Sequence, residues 1–194
     1  MTPMDPLLSG AIARIDRARI VAAELLEGLD DEAAHRAPPG GGWSIAQCFD
    51  HLLIVGNGMC PRLQEAIAQA RTEGRLTRSD RPSRIGWFDR LFIHATGPAR
   101  KEGARPPMPV TTPSVFTPGA GRPVVELAAA FAALQDRLSE LAQAAQGLDL
   151  EGIQVPSLVS GKIRLRLGAW FPALTGHQER HLAQAKRVRA GLGV

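Results

Sequence analysis

The tightest constraint on this chain lies near its end. There Trp170, Leu174, His177, His181, Ala185, Val188 and Leu192 recur at spacings of three and four. That is the core-facing period of an amphipathic helix, and Glu179 and Lys186 fall on its opposite side. Two histidines thus stand where a helix packed into a bundle would carry leucines. Four residues apart, their rings project side by side from successive turns. A neutral imidazole is a ready ligand for zinc and similar metals, and such a pair can clasp one ion. The remaining sequence has to supply any further ligand.

Three earlier segments carry the same helical signal. Asp5-Pro6 opens the first, with Asp as N-cap and Pro at the first position, and Leu8, Ile12, Ile15, Ala22, Leu25 and Leu29 repeat to about residue 30. Breakers at 37–42 force a turn. Ser44 and Gln47 then form a capping box for a second helix over about 44–71, striped by Ile45, Cys48, Phe49, Leu52, Met59, Leu63, Ile67 and Ala70. His51 lies at the edge of that stripe, beside Cys48 and Val55. Pro123 is placed to open a third helix at N1, with a near-heptad seam from Val124 through Leu127, Phe131, Leu134, Leu138 and Leu141 to Ala145, ending about 146. The fourth covers about 168–190, with Pro172 confined to its first turns unless it kinks the helix. Residues 153–155 and 163–167 alternate like the strands of a small hairpin turning at Ser160-Gly161.

Residues 73–122 form an irregular connection too long for an idle hop within one domain. Ile85 to His94 predicts a short amphipathic helix docking through Ile85, Phe88, Phe92 and Ala95, and Pro106 to Pro118 an extended strap. The expected fold is all-α: one domain over 1–194, a four-helix bundle whose long crossover lets helices two and three run parallel. Helix two can then meet helix four, and His51 becomes a third ligand beside His177 and His181. Three histidines leave coordination positions open, as catalytic metal sites do.

Charge is concentrated in the connection. From Arg71 to Arg105 nine basic residues oppose four acidic ones, a segment charge of +5, so the rest of a chain of net charge +4 sums to −1. A solvated surface is the favoured reading. The stretch lacks the interleaved aromatics of a nucleic-acid site, and no nucleic-acid partner is expected. A more specific role would be a flap that selects an acidic substrate. No apolar run approaches the ~20 residues of a membrane span, and the first residues lack a signal-peptide core, so a cytoplasmic protein is expected. Cys48 and Cys60, about 18 Å apart along one helix, are read as buried thiols.

The motifs Trp43-Ser44-Ile45-Ala46-Gln47 followed by His51-Leu52, and later Gly176-His177, His181 and Gln184, resemble the DinB-like superfamily of metal-binding bundles. Phe116-Thr117-Pro118 and Leu165-Arg166-Leu167-Gly168 extend the resemblance over nearly the whole chain. The resemblance implies a divalent metal, zinc or nickel, held by His51, His177 and His181. It further implies a small-molecule substrate, with thiol S-transferases using low-molecular-weight bacterial thiols, isomerases and hydrolases among the relatives, and homodimers common. The alternative it allows is a non-catalytic metal-binding protein of stress response or assembly. No catalytic residue is assigned. Asp50 and Glu179 are expected to point away from the histidines, Cys48 to fill the core rather than act as ligand or nucleophile, and His35 and His94 to lie at the surface.

Overall fold

The computed structural model describes residues 3–77, 81–98, 113–119 and 121–193. Among them the chain is mostly helical: α1 (Pro6–Leu26), α2 (Asp31–His35), α3 (Ile45–Thr72), α4 (Trp87–Thr96), α5 (Val124–Ala144) and α6 (Leu167–Leu192), with a 3-10 turn at Ser114–Phe116. Two short strands, β1 (Gln154–Pro156) and β2 (Arg164–Arg166), pair antiparallel in the expected hairpin, with Val155 opposite Leu165. No described helix is long and apolar enough to cross a membrane.

The long helices pack through the stripes that the sequence displays. α1 and α3 each lie against both α5 and α6. At the centre Phe49 of α3 meets Phe131 of α5 edge to face, with ring centroids 5.3 Å apart. Leu8, Ile15, Leu63, Leu127, Leu138 and Phe171 are buried around them. Cys48 and Cys60 are both free and buried, as their separation requires.

Several expected boundaries move, each for an identifiable reason. α1 stops at Leu26, short of residue 30, because Gly28 turns into the left-handed region at φ 68° and Asp30 then caps a separate one-turn helix, its carboxylate accepting the Ala33 N–H. Pro123 stands at the N-cap of α5 and not at N1, and the Val124 N–H donates to the Asp31 carboxylate at 2.7 Å. Asp31 thus ties the start of α2 to the start of α5. Pro172 falls in the second turn of α6, whose helix begins at Leu167.

The helix of the connection is present, but its docking face differs from the expected one. Phe88 is 42% exposed, while Ile93 packs on the core beside Phe92. Asp89 explains the rotation. It is buried, accepts the Gly86 N–H and the Arg166 N–H, and lies 3.5 Å from the Arg166 guanidinium. With Asp89 inward, the i, i+3, i+4, i+7 face is Asp89, Phe92, Ile93 and Thr96, which turns Phe88 to solvent. Of the strap, only Pro113 onward is described; Pro106 to Pro109 and Thr112 lie outside the described residues, as do Arg78, Asp80, Arg100, Lys101, Glu102 and Arg105.

The entry to α3 is fixed by the capping box. The Ser44 hydroxyl accepts the Gln47 N–H at 3.2 Å, and the Gln47 side chain accepts the Ser44 N–H at 3.0 Å. Ser44 is buried, so water cannot replace the lost acceptor. Ser44→Ala is expected to lower the unfolding free energy by about 1–2 kcal/mol, read from the urea midpoint at unchanged m-value.

Candidate metal centre

His51 on α3 and His177 and His181 on α6 converge at one end of the packed helices. One ring nitrogen from each can be chosen so that all three lie within 4.8 Å of one another. His51 and His181 are buried and His177 half-buried. Among the described residues this is the one group of three or more histidine, cysteine or carboxylate side chains placed to share an ion.

Neighbouring groups set the orientation of two of the rings. His51 Nδ1 lies 2.8 Å from the Phe116 carbonyl oxygen. A carbonyl only accepts, so Nδ1 carries the proton, and Nε2 of the neutral ring presents its lone pair inward. His181 Nδ1 lies 3.1 Å from Gln184 Oε1, which leaves His181 Nε2 as an acceptor in the same way. His51 Nε2 then faces His177 Nε2 at 3.2 Å. Trp43 leans on the cluster from the side, stacked on His181 at 5.5 Å between ring centroids and tilted on His51 at 4.8 Å. The Trp43, Phe116 and Gln184 motif positions therefore surround the histidines.

α6 is held in register from outside the site. Trp170 Nε1 donates to the Val155 carbonyl of the hairpin at 3.0 Å. On the far face Arg14 grips Glu179 through both carboxylate oxygens, at 2.6 and 2.7 Å. The guanidinium lies close over the helix backbone, since a Cβ on Gly176 would stand 3.3 Å from Arg14 Nη2. Glu179 is thereby turned away from the imidazoles. Asp50 also points outward, accepting the Gly119 N–H at 2.8 Å.

The electrostatics keep the imidazoles neutral. Burial lowers the proton affinity of His177 well below the ordinary value, and His181, His51 and Arg180 lower it further. Burial, then the charges of His51 and Arg180, push His181 down to about 3, against a small opposing effect of Gln184. His51 is also lowered by burial, with the Phe116 carbonyl and Asp50 acting in the opposite direction. Cys48 stands apart: burial pushes its thiol up to about 12, which removes the thiolate that a ligand or nucleophile needs. It is core filler.

A cavity of about 150 Å³ opens in front of the imidazoles, walled by side chains from α3, α4, α6, the hairpin and the Pro113–Phe116 stretch. His35 and His94 do not line it; His94 is exposed, and His35 Nε2 meets the Arg122 carbonyl. Nor does any described arginine of the basic connection. Arg81 pairs with Glu151 at 2.8 Å, and Arg71 donates to the Ala144 carbonyl. The connection covers the site instead with Phe92 and Thr96 of α4, Pro113 and Phe116. The cation beside the histidines is Arg180, from α6 itself, a position the helical stripe alone did not single out. Its signal was present: it stands three residues after His177, on an adjoining face.

A family model described as the DinB superfamily matches residues 14–185. No curated protein and no solved structure matches the chain.

The neutral cluster has a consequence for stability. Below the ordinary imidazole value of 6.5 the unfolded chain takes up protons that the folded chain refuses, so stability is unaffected above that value and falls as pH drops from it toward about 3. In metal-free protein the urea midpoint should fall between about pH 7 and about pH 5, a window above the usual carboxylate range. His181→Gln should show a smaller fall over the same window.

Proposed function

Because the chain belongs to the DinB superfamily, we propose that His51, His177 and His181 hold a divalent ion, zinc or nickel, in a site acting on a small molecule. The observation that carries this reading is the inward turn of the imidazoles. Phe116 and Gln184 accept the Nδ1 protons of His51 and His181, which leaves both Nε2 atoms as acceptors, and one ring nitrogen from each of the three histidines lies within 4.8 Å of the others. A metal ion satisfies all three. Two nitrogens at ~2.0–2.1 Å from one tetrahedral ion lie about 3.3 Å apart, and the 3.2 Å between His51 Nε2 and His177 Nε2 fits that edge. The arrangement of α1 and α3, each against α5 and α6, supports reading the fold as a four-helix bundle with α4 carried on the long crossover.

A divalent ion there would supply Lewis acidity and lower the pKa of a thiol or water brought to it. The chain's own residues do the rest. Phe116 and Gln184 fix the tautomers and angles of two ligands. The apolar wall of Val55, Met59, Phe92 and Leu174 holds the acceptor molecule and excludes water. No Asp or Glu stands among the described residues lining the cavity. The two reactions such an ion would serve are thiol S-transfer with a low-molecular-weight thiol and hydrolysis, since it would activate a thiol and a water alike.

Protein purified without a histidine tag is expected to carry about one equivalent of divalent metal by elemental analysis, and His177→Ala to carry little. Equal, near-zero contents would remove the proposal. Gln184→Leu, which removes the acceptor for His181 Nδ1, should weaken metal affinity about 10–100-fold in competition with a chelator. Metal-loaded wild type should conjugate a small thiol to an electrophile faster than His177→Ala does, and ester hydrolysis measured in parallel discriminates the two reactions.

A further inference from the structure

The two faces of α4 have different surroundings. Asp89 and Ile93 turn one face onto the protein, and Phe92 and Thr96 on that side line the cavity. The opposite face carries Trp87, Phe88 and Leu91, which are 79%, 42% and 55% exposed. Helical spacing joins them into one patch, and the Trp87 and Phe88 rings meet edge to face with centroids 6.0 Å apart. The other exposed large apolar side chains among the described residues, Ile20, Leu76, Val115, Val125 and Val159, each come from a different segment of the chain. Single residues of that kind are ordinary on a protein surface, whereas a contiguous apolar cluster marks a contact.

The patch is flanked by cations. Arg90 lies on the exposed side of the helix and Arg84 just ahead of it, and both are exposed. No described carboxylate pairs with either guanidinium. Asp89, the carboxylate of α4, is turned inward onto Arg166. Glu151 accepts the Arg84 N–H, but its charge is shared by Arg81 and Arg166. The occupant of this face therefore has to accept apolar rings and supply negative charge. A second copy related by a two-fold axis would set the patch against itself and bring like guanidinium groups together. An anionic lipid surface meets both demands, because its interface takes up Trp, Phe and Leu side chains while its phosphates face the arginines. A helix of 10 residues is too short to cross the hydrocarbon core, yet it can lie in the interface plane.

We propose that the outer face of α4 docks the protein on an anionic lipid bilayer surface, with Trp87, Phe88 and Leu91 in the interface and Arg84 and Arg90 on lipid phosphates. The proposal stands apart from the metal, since none of these side chains lines the cavity. Phe88 in the patch and Phe92 at the cavity are one helical turn apart, so docking brings the cavity wall close to the apolar layer.

The full chain is mixed with vesicles of phosphatidylcholine alone, or of phosphatidylcholine and phosphatidylglycerol in equal parts, and the bound fraction is measured by flotation. Wild type should partition into the anionic vesicles at least about tenfold more strongly than into the neutral ones. Added salt should weaken that preference. The double variant Trp87→Ser with Leu91→Ser should lower partition into anionic vesicles about tenfold, and Arg84→Gln with Arg90→Gln about as much. All four side chains are exposed, so both variants should keep the far-UV circular dichroism of wild type. Absence of wild-type binding, equal binding to the two vesicle types, or binding undiminished in either variant overturns the proposal. So does wild-type protein that ignores vesicles and instead dimerises in sedimentation experiments, with the dimer lost in Trp87→Ser with Leu91→Ser, since that result assigns the face to a second copy.

Discussion

The hydrogen bond between His51 Nδ1 and the Phe116 carbonyl, 2.8 Å long, is the contact on which the rest of the site depends. It decides which nitrogen of His51 faces inward, and it makes a stretch 65 residues downstream part of the centre. The 3-10 turn at Ser114–Phe116 aims the carbonyl, and the buried Phe116 ring anchors that turn in the cavity wall. Gln184 does the same for His181 from one turn further along α6. Outward protons and inward lone pairs are what allow three imidazoles to share one small volume while all remain neutral.

Neutrality and crowding also explain the charge pattern around the site. The nearby carboxylates are used elsewhere, Glu179 on Arg14 and Asp50 on the Gly119 N–H. At the cavity the described cation is Arg180, whose Nη1 donates to the Ala95 carbonyl of α4.

Much of the fold was legible because burial leaves a periodic trace. The stripes of α3, α5 and α6, the capping box at Ser44 and Gln47, and the hairpin pairing Val155 with Leu165 all follow from local spacing. Two of the misreadings share one physical cause. Where a side chain from a distant segment intervenes, local period no longer decides. Asp89, held by the Arg166 backbone and guanidinium, rotates α4 and exposes Phe88. Asp31 caps α5 from 93 residues away and fixes its start after Pro123.

The sequence by itself determined that His177 and His181 lie on a buried helical stripe, because a period of three to four residues cannot be met another way. It also set His51 about two turns into a capped helix. Only the tertiary structure decided which nitrogen each ring turns inward, since the Phe116 carbonyl comes from a segment without regular spacing relative to His51. Likewise, the basic connection advertises charge in sequence, yet none of its described arginines lines the cavity, and Arg81 and Arg71 face other partners. The cation at the cavity is Arg180, because the packing of α4 against α6 pins its guanidinium to Ala95 beside the histidines.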